Sequence, residues 1–205
     1  MTPLIVIPAA GASSRMNGRD KLMEDIDGAP LLKRQVATAV ASGAPVMVAT
    51  RVKDPERQAA LDGLKATLIT VRDADDGLGA TLRTAARFAA RHTPDRAMMV
   101  LLPDVPDITV FDIKSIIARF QAEGGNTPAR ASNDRGQPGT PLIVPARLLP
   151  RFAELTGDDG GKAALQGEEV ILVPLSNNRA TRDLDTPEDW ARWRAEQGRA
   201  QGQPE

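Results

Sequence analysis

Four apolar residues, Leu4-Ile5-Val6-Ile7, run directly into a stretch of small ones, Pro8-Ala9-Ala10-Gly11-Ala12-Ser13-Ser14, followed by Arg15 and Lys21. A short apolar strand opening into such a loop is the start of a strand–loop–helix unit, and it commits the chain to an α/β fold. With side chains this small, the backbone N–H groups of residues 9–14 can crowd around one point. Arg15 and Lys21 bring positive charge to the same point. The combination predicts a phosphate cradle at the C-terminal end of the first strand, where open α/β sheets bind ligands.

The rest of the sequence continues the alternation. Apolar runs at residues 45–50, 66–71 and 97–102 predict three more strands; amphipathic runs at 30–41, 55–64 and 78–91 predict helices between them. Residues 97–102 (AMMVLL) are apolar throughout, as a central parallel strand is. After Thr109, the residues Ile113, Ile116, Ile117 and Phe120 form a helical stripe, with Thr109 as cap, Asp112 in the first turn and Gly124-Gly125 as the stop. Beyond this the pattern loosens. Residues 127–132 and 140–144 flank a polar turn and read as a hairpin. Short helices are expected at 146–155 and 162–166, a strand at 170–174, and a last helix led by Thr186-Pro187. The expected architecture is a Rossmann-like α/β three-layer sandwich with a mostly parallel sheet and a small β-hairpin excursion. It forms one domain over residues 1–197, with a loose polar tail at 198–205.

Composition narrows the chemistry. The 205 residues carry 26 basic and 27 acidic side chains, a net charge of −1, which argues against nucleic acid or an anionic membrane as a partner. No apolar run reaches the roughly 18 residues of a membrane span, and residues 1–10 show no secretory leader. Cysteine is absent, which fits a reducing cytoplasm and excludes cysteine nucleophiles, cysteine-held zinc and iron–sulfur clusters. The single histidine, His92, ends a helix pattern and reads as a surface residue. What remains for catalysis is carboxylates, Lys, Arg, backbone amides and a bound metal. Two glycine-rich stretches fail the familiar nucleotide fingerprints. Gly77-Leu78-Gly79-Ala80-Thr81-Leu82 ends in leucine where a third glycine is required. Residues 157–162 have the wrong spacing for a P-loop, and Ala163 lacks the metal-binding hydroxyl.

The segment AAGASSRMNGRDK resembles the signature A-A-G-x-S-x-R-M-G-x-x-K of MobA-like nucleotidyltransferases, and most of all the molybdenum cofactor cytidylyltransferases among them. The likeness runs along the chain in order. Residues 76–82 are similar to the family's second loop, and Leu101-Leu102-Pro103-Asp104-Val105-Pro106 to its L-x-D-M-P element. Gly139-Thr140-Pro141 stands where the family reads Gly-His-Pro. Residues 155–160 are similar to L-x-G-D-x-G, and residues 183–189 to D-I-D-T-P-E-D. The resemblance implies a nucleotide-diphospho-sugar transferase-like fold and attack of a phosphate on the α-phosphorus of a nucleoside triphosphate, CTP favoured, with release of pyrophosphate. The implied acceptor is a molybdenum–molybdopterin cofactor, and the implied recipient a molybdoenzyme or its chaperone. A sugar phosphate or other small phosphate ester is the alternative acceptor. A non-catalytic carrier of a nucleotide-bearing cofactor is the alternative from another class.

On this reading Arg15, Lys21 and Asp104 are the catalytic candidates. Ala9, Ala10, Gly11, Ala12, Ser13, Gly77, Gly79 and Thr81 join Arg15 and Lys21 around the nucleotide. Asp104 emerges from an apolar strand at the sheet's C-terminal edge, where Mg2+ bridging the phosphates would be held. Asp183 and Asp185 lie two apart in an extended segment and share a face. Asp183 is preferred as the second metal ligand, since Asp185 can equally serve the last helix as an N-terminal charge. Gly139, Thr140 and Pro141 are expected to face the acceptor, with Thr140 replacing the family's histidine. Five residues (16–20) separate Arg15 from Lys21 where the family has four, so either Lys21 or Arg19 can reach the phosphates. Trp190 and Trp193, three apart on the last helix, read as packing anchors.

Overall fold

The computed structural model describes residues 1–157 and 161–201. In chain order the strands are β1 (Leu4–Ala9), β2 (Asp25–Ile26), β3 (Ala29–Pro30), β4 (Val46–Arg51), β5 (Thr67–Val71), β6 (Met98–Val100), β7 (Ala129–Ser132), β8 (Pro138–Val144) and β9 (Ile171–Pro174). The α-helices are α1 (Leu31–Ala41), α2 (Pro55–Ala60), α3 (Leu78–His92), α4 (Val110–Ala122), α5 (Leu149–Phe152) and α6 (Pro187–Gln201). Seven strands form one sheet in the order β5-β4-β1-β6-β8-β7-β9, and β2–β3 is a separate two-stranded ribbon. Within the seven-stranded sheet all neighbouring pairs are parallel except those of β8, which runs antiparallel to both β6 and β7. The fold is thus a mostly parallel α/β sandwich, and the hairpin read at 127–144 forms with both its strands inside the main sheet.

Strand β1 shows how the layers are made. Ile5, Ile7 and Ala9 face a core shared with α1, α4 and α6, while Leu4 and Val6 face a second core shared with α3 and α5. Burial of such side chains contributes about 1.5–3 kcal/mol each. Trp190 and Trp193 are buried in the first core, packed edge to face, and Trp193 Nε1 donates to Asp107 at 2.9 Å. Helix α4 begins with a full capping box between Thr109 and Asp112. Helix α6 is capped in the same way: Thr186 Oγ1 accepts from the Asp189 N–H at 3.2 Å and Asp189 accepts from the Thr186 N–H at 3.0 Å. Asp189, not Asp185, is therefore the acid that serves this helix end.

Some boundaries depart from the sequence reading. Helix α2 stops at Ala60, and Gly63, at φ +81°, turns the chain toward β5. Strand β6 ends at Val100: the Leu101 N–H still bonds to the Val6 carbonyl of β1 at 2.9 Å, but the Leu102 N–H donates to the Thr140 hydroxyl at 3.1 Å. Helix α6 continues through Gly198 to Gln201; residues 202–205 of the expected tail, and 158–160 of the L-x-G-D-x-G segment, lie outside the described residues. Among the described residues no helix is long and apolar enough to cross a membrane.

The topology fixes where a ligand can sit. The chain leaves β1 toward β4 and β5 on one side, then returns to place β6 on the other. Loops leaving the C-terminal ends of β1 and β6 therefore diverge, and the crevice between them is the switch point at which open sheets bind ligands.

Candidate active site

That crevice is a cavity of about 380 Å³ lined by Gly11, Ala12, Ser14 and Lys21 from the loop after β1. Gly77, Leu78 and Thr81 at the start of α3 face them, and Pro103 and Asp104 close it after β6. A Cβ at Gly11 would meet nothing within 4 Å, so this position opens onto free space. Ala9 and Ala10 belong to the support: their side chains are buried, and their carbonyls accept from Arg57 Nη1 at 2.7 Å and Arg51 Nε at 2.6 Å. Ser13 lies on the reverse of the loop, in a second depression with Arg19 and Arg57.

The loop holds its shape through Asp20. Its carboxylate accepts from the Ser13 hydroxyl at 3.0 Å, the Leu22 N–H at 3.0 Å, and Arg57 twice, at 2.7 and 2.8 Å. Burial pushes the Asp20 carboxyl up, but the bonds and charge of Arg57 outweigh it and hold it below the usual aspartate value. The extra residue between Arg15 and Lys21 is absorbed by a turn in which Asn17 and Gly18 are both left-handed, at φ 52° and 84°. Arg19 is thereby sent outward to pair with Glu24 at 3.0 Å, while Lys21 enters the crevice.

Lys21 Nζ lies 2.6 Å from Asp104 Oδ2 and 2.6 Å from Asp185 Oδ1, and Arg15 reaches Asp185 Oδ2 at 2.8 Å. Residues 15, 21, 104 and 185, scattered over the chain, thus form one charged cluster at one rim. Burial lowers the Lys21 ammonium, but the two carboxylates prevail and raise it above its ordinary value. Burial likewise raises Asp185, and Lys21 brings it down. Asp183 is not in the Lys21 contact. It lines a separate polar depression with Arg135 and Arg192, and burial plus the nearby charges of Asp185 and Asp104 push its carboxyl up. Lys21 thus meets Asp185 and not Asp183: the extended segment turns Asp185 toward Asp104, while Asp183 stays beside both carboxylates.

The donor set suits a hard divalent ion. Asp104 Oδ1 is buried with no hydrogen-bond partner, an unusual state for a carboxylate oxygen. Among the described residues no three acidic or imidazole side chains converge on one point. The fit is thus to an ion held by one or two carboxylates, with phosphate oxygens and water completing its shell, which is how Mg2+ is commonly bound at phosphates.

Other candidates fall outside the crevice. A Cβ at Gly79 would meet the Gly157 carbonyl oxygen at 2.1 Å, and its N–H donates to that oxygen at 3.1 Å, so this glycine serves backbone packing. Gly139 does the same against the Ala180 carbonyl, 1.9 Å from its missing Cβ. Thr140 is only 4% exposed and its hydroxyl is committed to the backbone of β6 and Leu102. Pro141, next along β8, is buried. His92 stacks on Phe88 at the exposed end of α3. Two arginines that the sequence reading passed over bind the loop backbone: Arg51, the last residue of β4, which also lines the crevice, and Arg57 of α2, which does not; only proximity in space reveals their task.

A switch-point crevice, a small-residue loop and a cluster of fixed cations and carboxylates define a nucleotide-binding α/β protein. The model of the MobA-like NTP transferase domain matches residues 5–172, and the chain belongs to that family. No curated protein matches the sequence. Solved structures share the fold. Rv0371c from Mycobacterium tuberculosis H37Rv superposes with a TM-score of 0.79 at 22% identity, over 93% of this chain and 96% of that one. A second crystal structure of Rv0371c is a complex with manganese, at TM-score 0.75 and 20% identity, covering 94% and 97%. A nucleotidyl transferase from Methanothermobacter gives 0.78 at 22% identity, covering 97% and 99%. CMP:2-keto-3-deoxy-manno-octonic acid synthetase, complexed with CTP, gives 0.75 at 17% identity, covering 98% and 100%.

Proposed function

We propose that this nucleotidyltransferase moves CMP from CTP to the terminal phosphate of a molybdenum–molybdopterin cofactor, with Mg2+ as the metal. The observation that carries the reaction type is the meeting of Arg15, Lys21, Asp104 and Asp185 at the mouth of the small-residue loop. A phosphate oxygen of the acceptor attacks the α-phosphorus. One P–O bond forms, the bond to the β-phosphate breaks, and pyrophosphate leaves with the electron pair. The attacking phosphate is already ionised near neutral pH, so the chain needs no general base. Its work is positioning and charge stabilisation. Backbone amides of residues 11–14 hold the triphosphate, and Arg15 and Lys21 balance the charge that gathers on the leaving pyrophosphate. Asp104 and Asp185 would hold a divalent ion, which when bound would further neutralise the phosphate oxygens. The manganese complex of Rv0371c and the CTP complex of the synthetase, on the same fold, are consistent with both ligands.

The choice of CTP and of the pterin rests on the A-A-G opening and the ordered motifs. A second acceptor, a sugar phosphate, is favoured by the depression beside Asp183, whose lining of Asn133, Arg135, Gln137, Asn178, Thr181, Arg182 and Arg192 is wholly polar. Pyrophosphate release, measured with each of four nucleoside triphosphates and each acceptor, separates the readings. Release with CTP and molybdopterin alone is expected. Release only with a sugar phosphate selects the second acceptor, and nucleotide binding without any release sinks the enzymatic reading.

A further inference from the structure

We propose that Lys21 is an interlock between metal and nucleotide: its ammonium occupies the place between Asp104 and Asp185 that a divalent ion would take, and leaves only when phosphates draw it away. The inference rests on reading Asp104 and Asp185 as the metal pair. One nitrogen at 2.6 Å from an oxygen of each carboxylate is the position of a bridging cation. Arg15 takes the remaining oxygen of Asp185 at 2.8 Å, so the two carboxylates are paired with two cations, and Asp183 lies close beside them. A dication added to this cluster would face an ammonium at close range in a largely buried setting, where screening is weak. Lys21 must therefore move before the ion can bind both carboxylates.

It has somewhere to go. Lys21 lines the same 380 Å³ crevice as Gly11, Ala12 and Ser14, so its flexible four-carbon stem can carry the charge from the carboxylates to phosphates cradled by that loop. Arg15, 67% exposed at its side chain, can follow. The triphosphate thus exchanges partners with the cluster: it takes Lys21, and the carboxylates take the ion. Because each event relieves the charge imbalance the other creates, metal and nucleotide tighten one another's binding, and by linkage they do so equally. The device keeps the acidic pair closed to free metal and opens it to the metal–nucleotide complex.

The test is metal binding, not turnover. Manganese is titrated into the wild type, Lys21→Met and Lys21→Arg, with water-proton relaxation enhancement to separate protein-bound from nucleotide-bound ion. Without nucleotide, Lys21→Met is expected to bind manganese at least tenfold more tightly than the wild type, and Lys21→Arg, which keeps the cation, no more tightly. Adding Asp104→Asn to Lys21→Met abolishes the gain. Should Lys21→Met need the ion in order to fold, its thermal midpoint as a function of manganese reports the same affinity. Equal free-metal affinity in the wild type and Lys21→Met overturns the interlock while leaving the metal pair in place. No protein-bound manganese with CTP in any form overturns the metal pair itself, and the interlock with it.

Discussion

Arg57 grips Asp20 through two parallel hydrogen bonds, Nε to Oδ2 at 2.7 Å and Nη2 to Oδ1 at 2.8 Å, with its own side chain only 4% exposed. The same guanidinium donates to the Ala9 carbonyl at 2.7 Å. One buried side chain from α2 therefore ties the end of β1 to the residue preceding Lys21. It sets the curvature of the whole phosphate loop without facing the crevice.

Removing Arg57 takes two charge-assisted hydrogen bonds from Asp20, which is 29% exposed and keeps its bonds from Ser13 and Leu22; a hydrogen bond to a charged group is worth about 1.5–3 kcal/mol. Arg57→Ala is expected to lose stability in that range by chemical denaturation. Arg57→Lys is expected to recover only part of it, because an ammonium cannot make both parallel bonds and the carbonyl bond in one plane.

The same pair gives an acid limb to stability. Asp20 titrates below its ordinary value of 3.8 in the folded protein. A depressed carboxyl contributes stability that is fully present above the unfolded pKa and disappears as pH falls through the folded one. Denaturation midpoints of the wild type should therefore fall as pH drops from about 4 downward, and Asp20→Asn should be less stable at pH 7 but flatter over that window. Parallel curves for the two proteins would refute the assignment.

Gly11 and Gly79 should respond oppositely to alanine. At Gly79 the new Cβ would sit 2.1 Å from the Gly157 carbonyl oxygen, and overpacking of this kind costs about 1–3 kcal/mol, more than the roughly 1 kcal/mol that alanine gains in a helix. At Gly11 there is open space, so thermal stability should hold within about 0.5 kcal/mol. The methyl group would instead intrude on the cradle and weaken triphosphate binding, as read by calorimetry.

Asp104→Asn should leave the fold intact and reduce pyrophosphate release by about 10²–10³-fold, the usual effect of removing one preorganised charge contact in a transition state. Turnover within threefold of wild type would remove Asp104 from the chemistry.

Thr140→Val is a test of stability, not of acceptor choice. It strands the Leu102 N–H, bonded to the hydroxyl at 3.1 Å, at a cost of about 1–3 kcal/mol. The Michaelis constant for the acceptor should hold once the comparison is made well below the melting temperature.

Much of this protein was already written in local pattern. Apolar runs, capping residues such as Thr109 and Thr186, and the small residues after Ile7 act through neighbours a few positions away. That is why the alternation of strands and helices, the family and the small-residue loop at the end of β1 could all be read from the chain. The ribbon β2–β3 escaped notice because two-residue strands carry no periodicity. Arg51 and Arg57 escaped because nothing beside them in sequence marks an arginine whose partners lie some 40 positions away.

The sequence by itself determined which residue types stand at the C-terminal ends of the strands, since strand periodicity and loop composition are local properties. Tertiary structure alone decided which of them meet. Two aspartates separated by one leucine are equivalent in an extended pattern, yet only Asp185 reaches Lys21, because the Leu184 N–H donates to the Asp104 carbonyl at 2.9 Å and fixes the register of that segment against the loop after β6. Thr140 likewise sits in a motif position but bonds inward, because the antiparallel β8 lays its hydroxyl against the end of β6. Contacts across 80 or more residues depend on how the sheet is ordered, and that order is a property of the packed whole.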